Sequence, residues 1–145
     1  MNSIHNINNY DIKGDGLPSK VETVAYVAHM APLKLVEQWI KEKYKCDIKL
    51  YVSLKSSYRS VEWEKSKGRS GYSEHTYNFL GACDITCDNF QENKGILLEA
   101  LIAVTRYTRL ALYNGFIHGD YKNAQNDAYV YNSAWVRQTP IKRAA

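Results

Sequence analysis

The period of the hydrophobic pattern changes along this chain, and that change restricts the fold more than any other feature. Between Lys20 and Met30 the apolar residues Val21, Val24, Ala25 and Ala28 recur at helical spacing. After Pro32, which suits a first helical turn, Leu33, Val36, Trp39 and Ile40 repeat that spacing, with Lys34, Glu37, Lys41 and Glu42 on the other side. From Tyr107 onward the apolar residues come in short runs that read as strands: Tyr107–Tyr113, Phe116–Tyr121, Ala128–Tyr131 and Ala134–Gln138. Asn132-Ser133 offers a tight hairpin turn between the last two. The middle of the chain mixes both periods. It holds an alternating strand at Ile48–Leu54, a short helix at Val61–Lys67, a strand at Ala82–Cys87 and a helix from Asn89 to about Thr105. Helices first and strands afterwards predict an α+β fold, with the helices packed on a small, mainly antiparallel sheet.

A chain of 145 residues with 45% hydrophobic and 23% charged residues is expected to form one domain with a core of its own. Residues 1–14 read as an irregular arm, and residues 139–145 as a basic tail that frays. The net charge of +4 suits a polyanionic partner, and suits equally a soluble protein with slightly more lysine than glutamate. The three cysteines, Cys46, Cys83 and Cys87, have no disulfide-framework spacing and read as free thiols in a reducing compartment. The start, Met1 to Asn9, lacks a basic segment followed by an apolar run, so no secretory signal is expected. The apolar stretch at Ile96–Val104 is too short to span a bilayer. Twelve tyrosines and three tryptophans suggest that some rings wall a polar groove.

Two segments carry the chemistry. Ser73-Glu74-His75 is followed, across the small residues Gly81-Ala82, by Asp84 at the start of an apolar strand. Phe116-Ile117-His118-Gly119-Asp120 brings in a second histidine on another strand. Two imidazoles and a carboxylate make a three-ligand set for zinc, and an open fourth position lets the metal activate water. Strand geometry puts His118 and Asp120 on one face, so Asp120 is expected either to support the site or to accept a proton. Each residue alone is unremarkable, since lone histidines and aspartates are mostly structural or solvated. A phosphoesterase or nuclease built on His-x-Asp ranks low, because a two-metal site needs more carboxylates than the segments supply.

The ordered combination of Ser73-x-His75, Gly81-x-x-Asp84 and Phe116-Ile117-His118-x-Asp120 resembles the zinc D-alanyl-D-alanine metallopeptidases. That peptidoglycan group includes vancomycin-resistance dipeptidases, phage L-alanyl-D-glutamate endolysins and the hedgehog-like fold. Upstream, Ser56-Ser57-Tyr58-Arg59-Ser60 resembles the group's Ser-Gly-Tyr-Arg-Ser segment, and the Tyr129–Trp135 region resembles its small members. The resemblance spans roughly residues 20–138. It implies that His75, Asp84 and His118 bind Zn2+, that Arg59 holds a substrate carboxylate or carbonyl, that Ser73 hydrogen-bonds substrate or a ligand, and that Tyr58 walls the pocket. By residue chemistry alone, Arg59 could instead pair with Glu62 or Glu64, Ser73 could be a turn serine, and Tyr58 could simply pack. The implied activity is hydrolysis of a peptidoglycan stem-peptide amide bond, by a phage lysis or virion enzyme held in the host cytoplasm before release. No nucleic acid or membrane partner is expected. Two departures stand out. His75 and Asp84 are nine positions apart, two more than the common spacing, and the glutamate expected three residues before the last histidine is Gly115. Asp120 then becomes the nearest proton acceptor, with Glu74 a distant second. A non-catalytic cell-wall-binding or virion module on the same fold is the alternative.

Overall fold

The computed structural model describes residues 2–6, 19–52, 58–71, 73–122 and 127–143. The helical part comes first. Helix α1 (Ser19–Ala25) runs through a π-helical turn (Tyr26–Met30) into α2 (Ala31–Tyr44) without a break. The two separate helices expected on either side of Pro32 are therefore one continuous rod. Pro32 has no N–H to return to the Ala28 carbonyl four residues earlier. The Tyr121 hydroxyl donates to that carbonyl instead, at 2.5 Å, and the Ala31 N–H reaches back five residues to Tyr26. The wider π turn leaves Ala28, His29 and Met30 all buried. Helix α2 ends where Lys45 turns left-handed, with φ 56°.

Among the described residues seven strands form one mixed sheet: β1 (Asn2–Ser3), β2 (Leu50–Val52), β3 (Ala82–Cys87), β4 (Arg109–Leu112), β5 (Ile117–Asp120), β6 (Tyr129–Asn132) and β7 (Arg137–Pro140). Their spatial order is β1-β2-β3-β5-β4-β6-β7, antiparallel everywhere except the parallel pair β4–β6. A short helix α3 (Val61–Ser66) and a 3-10 turn (Glu74–Thr76) lie between β2 and β3, and α4 (Phe90–Val104) follows β3. The architecture is α+β, with a larger sheet than the sequence suggested. Both chain ends differ from expectation. β1 pairs with β2 and Ile4 is fully buried, so the first residues of the arm belong to the sheet; residues 7–14 lie outside the described ones. The tail supplies the second half of β7, Thr139 and Pro140, and buries Ile141. Arg143 donates from Nε to the Ile102 carbonyl (2.8 Å) and from Nη1 to that of Tyr107 (2.7 Å). A guanidinium is well suited to carbonyls left open at a helix C-terminus, which is why the tail docks on α4 instead of fraying.

β3 and β5 position the site. Strand side chains alternate between faces. Cys83, Ile85, Cys87 and Ile117 join the hydrophobic core with Leu33, Val36 and Ile40 of α2 and Leu97, Ala100 and Leu101 of α4. Fully burying one such aliphatic side chain contributes roughly 1.5–3 kcal/mol, so this face holds the sheet rigid. Asp84, His118 and Asp120 take the other face, and the register sets Asp84 opposite His118 and Arg109 opposite Asp120. Among the described residues no helix is long and apolar enough to cross a membrane, and none of the three cysteines is in a disulfide.

Gly81 enables the approach to β3. Its φ is +75°, and a Cβ there would lie 2.3 Å from the Tyr77 ring. Tyr77, itself left-handed at φ 59°, folds its ring back into the core over that glycine. Gly81→Ala combines backbone strain with an overpacked ring, and is expected to destabilise by about 1–3 kcal/mol. Urea unfolding measures it; an unchanged midpoint would show that the Tyr77 ring is free to move away.

Candidate metal centre

His75, Asp84 and His118 meet on the polar face of β3 and β5, all three buried, with one ligand atom from each lying within 4.8 Å of the others. His118 Nδ1 is 3.0 Å from Asp84 Oδ1, and His75 Nε2 is 3.6 Å from the same oxygen. Donors of a tetrahedral zinc with bonds near 2.0 Å sit about 3.3 Å apart, so both separations are of the right size. The other His118 nitrogen, Nε2, donates to Asp120 Oδ2 at 2.7 Å, leaving Nδ1 for the shared site. A metal-binding imidazole held by a carboxylate on its far nitrogen is the usual support for a ligand histidine.

Local backbone chemistry fixes His75. Ser73 caps the 3-10 turn, its hydroxyl accepting from the His75 N–H (3.2 Å), while the Thr76 hydroxyl donates back to the Ser73 carbonyl (2.6 Å). The Arg59 N–H donates to the His75 carbonyl (3.0 Å). The imidazole itself makes no hydrogen bond among the described residues; its buried Nδ1 has no partner and its Nε2 is beyond hydrogen-bond range of Asp84. Leaving that buried Nδ1 without a hydrogen bond is costly, and an ion on Nε2 would add a strong contact where the ring now has only its long approach to Asp84. The donor set and spacing fit a metal ion, and this buried group could hold one.

Without an ion the carboxylates keep His118 protonated, so a metal at Nδ1 takes the place of a proton there. Burial would lower the His118 imidazole, but the Asp120 and Asp84 carboxylates outweigh it and raise it to about 9. Burial would raise Asp84, yet His118 and His75 hold it well below the usual carboxylate range. Asp120 is likewise pushed up by burial and held at about 2 by His118 and Arg109. His75 is lowered, chiefly by burial.

Asp120 is fully buried and saturated. Arg109 donates to it from Nε (2.8 Å) and Nη2 (2.6 Å), the Lys122 N–H donates at 3.0 Å, and His118 completes the set. A cavity of about 490 Å³ opens beside His118. Arg69, Arg109 and Lys122 line it with Ser70, Ser73, Glu74 and Trp135. Glu74 is half-buried, its carboxylate has no hydrogen bond or ion pair among the described residues, and it is raised by burial and then by Asp120.

The predicted substrate residues are only partly brought together. Ser73 lines the cavity and also acts as the turn serine. Arg59 turns toward the fully buried Glu64 (3.5 Å) and the face of Trp63, the structural pairing open to it from sequence. Arg69, also on Glu64 (3.0 Å), supplies a guanidinium to the cavity in its place. Tyr58 packs edge-on to Tyr77 against the core. Ser56 and Ser57 lie outside the described residues.

Sequence reasoning missed Trp135. The turn between β6 and β7 is longer than Asn132-Ser133: Asn132 Oδ1 accepts from the Ala134 and Val136 N–H groups (both 3.0 Å), and Trp135 is left-handed at φ 61°. That loop sets the indole edge-on to His118 (5.2 Å), under the Arg109 guanidinium (4.3 Å), with Nε1 donating to the Tyr113 hydroxyl (2.8 Å). An asparagine able to bond the backbone two residues on was the available signal.

It also missed the layer beneath. His29, fully buried on the π turn, donates from Nε2 to the Leu80 carbonyl (2.8 Å), so its Nδ1 accepts from the Tyr107 hydroxyl (2.6 Å). The Tyr107 ring packs against Gly119, where a Cβ would meet it at 2.9 Å. Burial lowers His29 from 6.5 to about 3. The unfolded chain therefore takes up a proton that the folded chain refuses between those values. The stabilisation is intact above pH 6.5 and falls with acid by about 1.4 kcal/mol per pH unit down to about pH 3. Metal-free protein is expected to show this slope, in excess of His29→Gln; equal slopes in urea melts from pH 6.5 to 4 would remove His29 as the cause.

No family model, curated protein or solved structure matches this chain.

Proposed function

We propose that the chain is a zinc-dependent peptidase acting on a stem-peptide amide bond of peptidoglycan, on a fold of the hedgehog-like, D-alanyl-D-alanine peptidase type. One observation carries the reading: three buried donors, His75, Asp84 and His118, converge beside a polar cleft that shares His118 with them. Two nitrogens and one oxygen suit zinc and leave a coordination position open. When bound there, zinc supplies the acidity that activates water near neutral pH and the positive charge that polarises an amide carbonyl.

The side chains divide the remaining work. Asp120 orients His118 and fixes its tautomer, because its oxygens already accept from four donors. That suits positioning better than the proton-acceptor role the sequence suggested for it. Glu74 is the carboxylate lining the cleft and takes the proton of the attacking water. It then returns that proton to the amine as the C–N bond breaks. Ser73 holds the His75 backbone. Trp135 and the Arg109 guanidinium beside it form a wall against which substrate is oriented.

Purified peptidoglycan digested with and without a chelator, and analysed by mass spectrometry, tests the reading. Release of stem-peptide fragments that the chelator stops is the expected result, and the fragment masses name the bond. A non-catalytic cell-wall-binding or virion module is the second reading, favoured by Gly115 standing where relatives of the resembled group carry their glutamate. Zinc bound at full stoichiometry with intact peptidoglycan would support it.

A further inference from the structure

The charges on the cleft do not cancel. Glu64 is fully buried and is one carboxylate serving two guanidiniums, Arg59 and Arg69, so a positive charge is left over on the side that Arg69 presents to the cavity. Arg69 is half exposed, gives Nη1 to Glu64 and lies over the Trp63 ring (5.2 Å), while its guanidinium still lines the cavity. Lys122 lines the same cavity from the turn after β5, and among the described residues its ammonium has no hydrogen bond or ion pair. Arg109 is different: Asp120 neutralises it and its guanidinium lies on Trp135. Glu74 on the same cavity offsets one of these charges, and its carboxylate feels Lys122, so the lining keeps one net positive charge, shared by two cations from separate segments beside an aromatic plane; such a pair recognises an anion near His118.

We propose that Arg69 and Lys122 form an anion-binding subsite that takes a free carboxylate of the substrate, one that is not itself formed or cleaved in the reaction. This rests on the peptidase reading. It makes the protein selective for a peptide bearing an acid over the same peptide bearing its amide. The guanidinium accepts the planar carboxylate in a paired contact, and the ammonium adds a point charge that an amide cannot use. A phosphate group offers the same negative oxygens, and only the comparison of probes separates the two sources.

The Trp135 indole N–H reports on the cleft and is assigned with Trp135→Phe. Zinc-loaded, nitrogen-15-labelled protein is titrated with N-acetyl-D-glutamate, with its side-chain amide, N-acetyl-D-glutamine, and with inorganic phosphate. The acid is expected to shift that resonance saturably, at least about tenfold more tightly than the amide, and Lys122→Gln is expected to weaken the acid by about tenfold. Arg69→Gln should weaken it further; because Glu64 relies on Arg69, the Lys122 variant carries the test if Arg69→Gln fails to fold. Equal affinity for acid and amide, or an acid affinity untouched by Lys122→Gln, overturns the subsite. Phosphate binding well above the acid overturns the carboxylate assignment. These titrations need no turnover, so a protein that binds the acid but leaves peptidoglycan intact sinks the peptidase reading and not the subsite.

Discussion

His118→Ala is expected to yield a folded protein that no longer retains zinc. The substitution removes one of three donors from the cluster, leaving His75 and Asp84 with a separation of 3.6 Å and no third group to close the site. The loss should exceed the roughly 10–100-fold that removing a supporting partner costs in metal affinity. Folding should survive because the neighbouring charge stays paired: Asp120 keeps both Arg109 contacts and the Lys122 N–H when His118 is gone. The hydrophobic face of β3 and β5 is untouched, since Ile85 and Ile117 point the other way. Metal analysis after gel filtration, with far-UV circular dichroism alongside, gives the answer. Zinc at one equivalent in the variant would take His118 out of the site and remove the basis of the functional reading.

The parts legible in the sequence were those set by period. The helix at Phe90–Val104 and the strands around Ile85, Leu110 and Ile117 follow from local spacing, and so does the shared face of His118 and Asp120. The convergence of His75 on that face needed more, because nothing in the spacing shows that Tyr77 folds its ring over Gly81 and absorbs the longer connection. Three features depended on partners distant in sequence. Pro32 looked like a break because the hydroxyl serving the Ala28 carbonyl comes from Tyr121, 93 positions away. The tail looked loose because its anchor, Arg143, caps carbonyls 41 and 36 positions away. Arg59 looked like the substrate arginine because its motif is local, whereas its partner Glu64 became compelling only once the fold buried it fully. Local pattern gives elements and faces; a buried polar group's partner is a property of the fold.

Glu74→Gln and Asp120→Asn are expected to fail in opposite ways, and that contrast separates the proton acceptor from the group that holds a ligand. Glu74 faces the cleft with no partner among the described residues, so its amide removes the proton acceptor and little else. Turnover should fall by about 10²–10⁴-fold with KM nearly unchanged, while zinc stays at full stoichiometry. Asp120 sits behind His118, accepting from Arg109, His118 and the Lys122 N–H while fully buried. An asparagine there leaves the Arg109 charge uncompensated and releases the imidazole, so zinc affinity should drop about 10–100-fold and activity should recover as zinc is raised. Competition with a chromophoric chelator measures the affinity, and peptide release measures turnover. If Asp120→Asn instead holds zinc as tightly as the parent yet is inactive at saturating metal, the buried aspartate is the proton acceptor after all, and Glu74 is only part of the cleft wall.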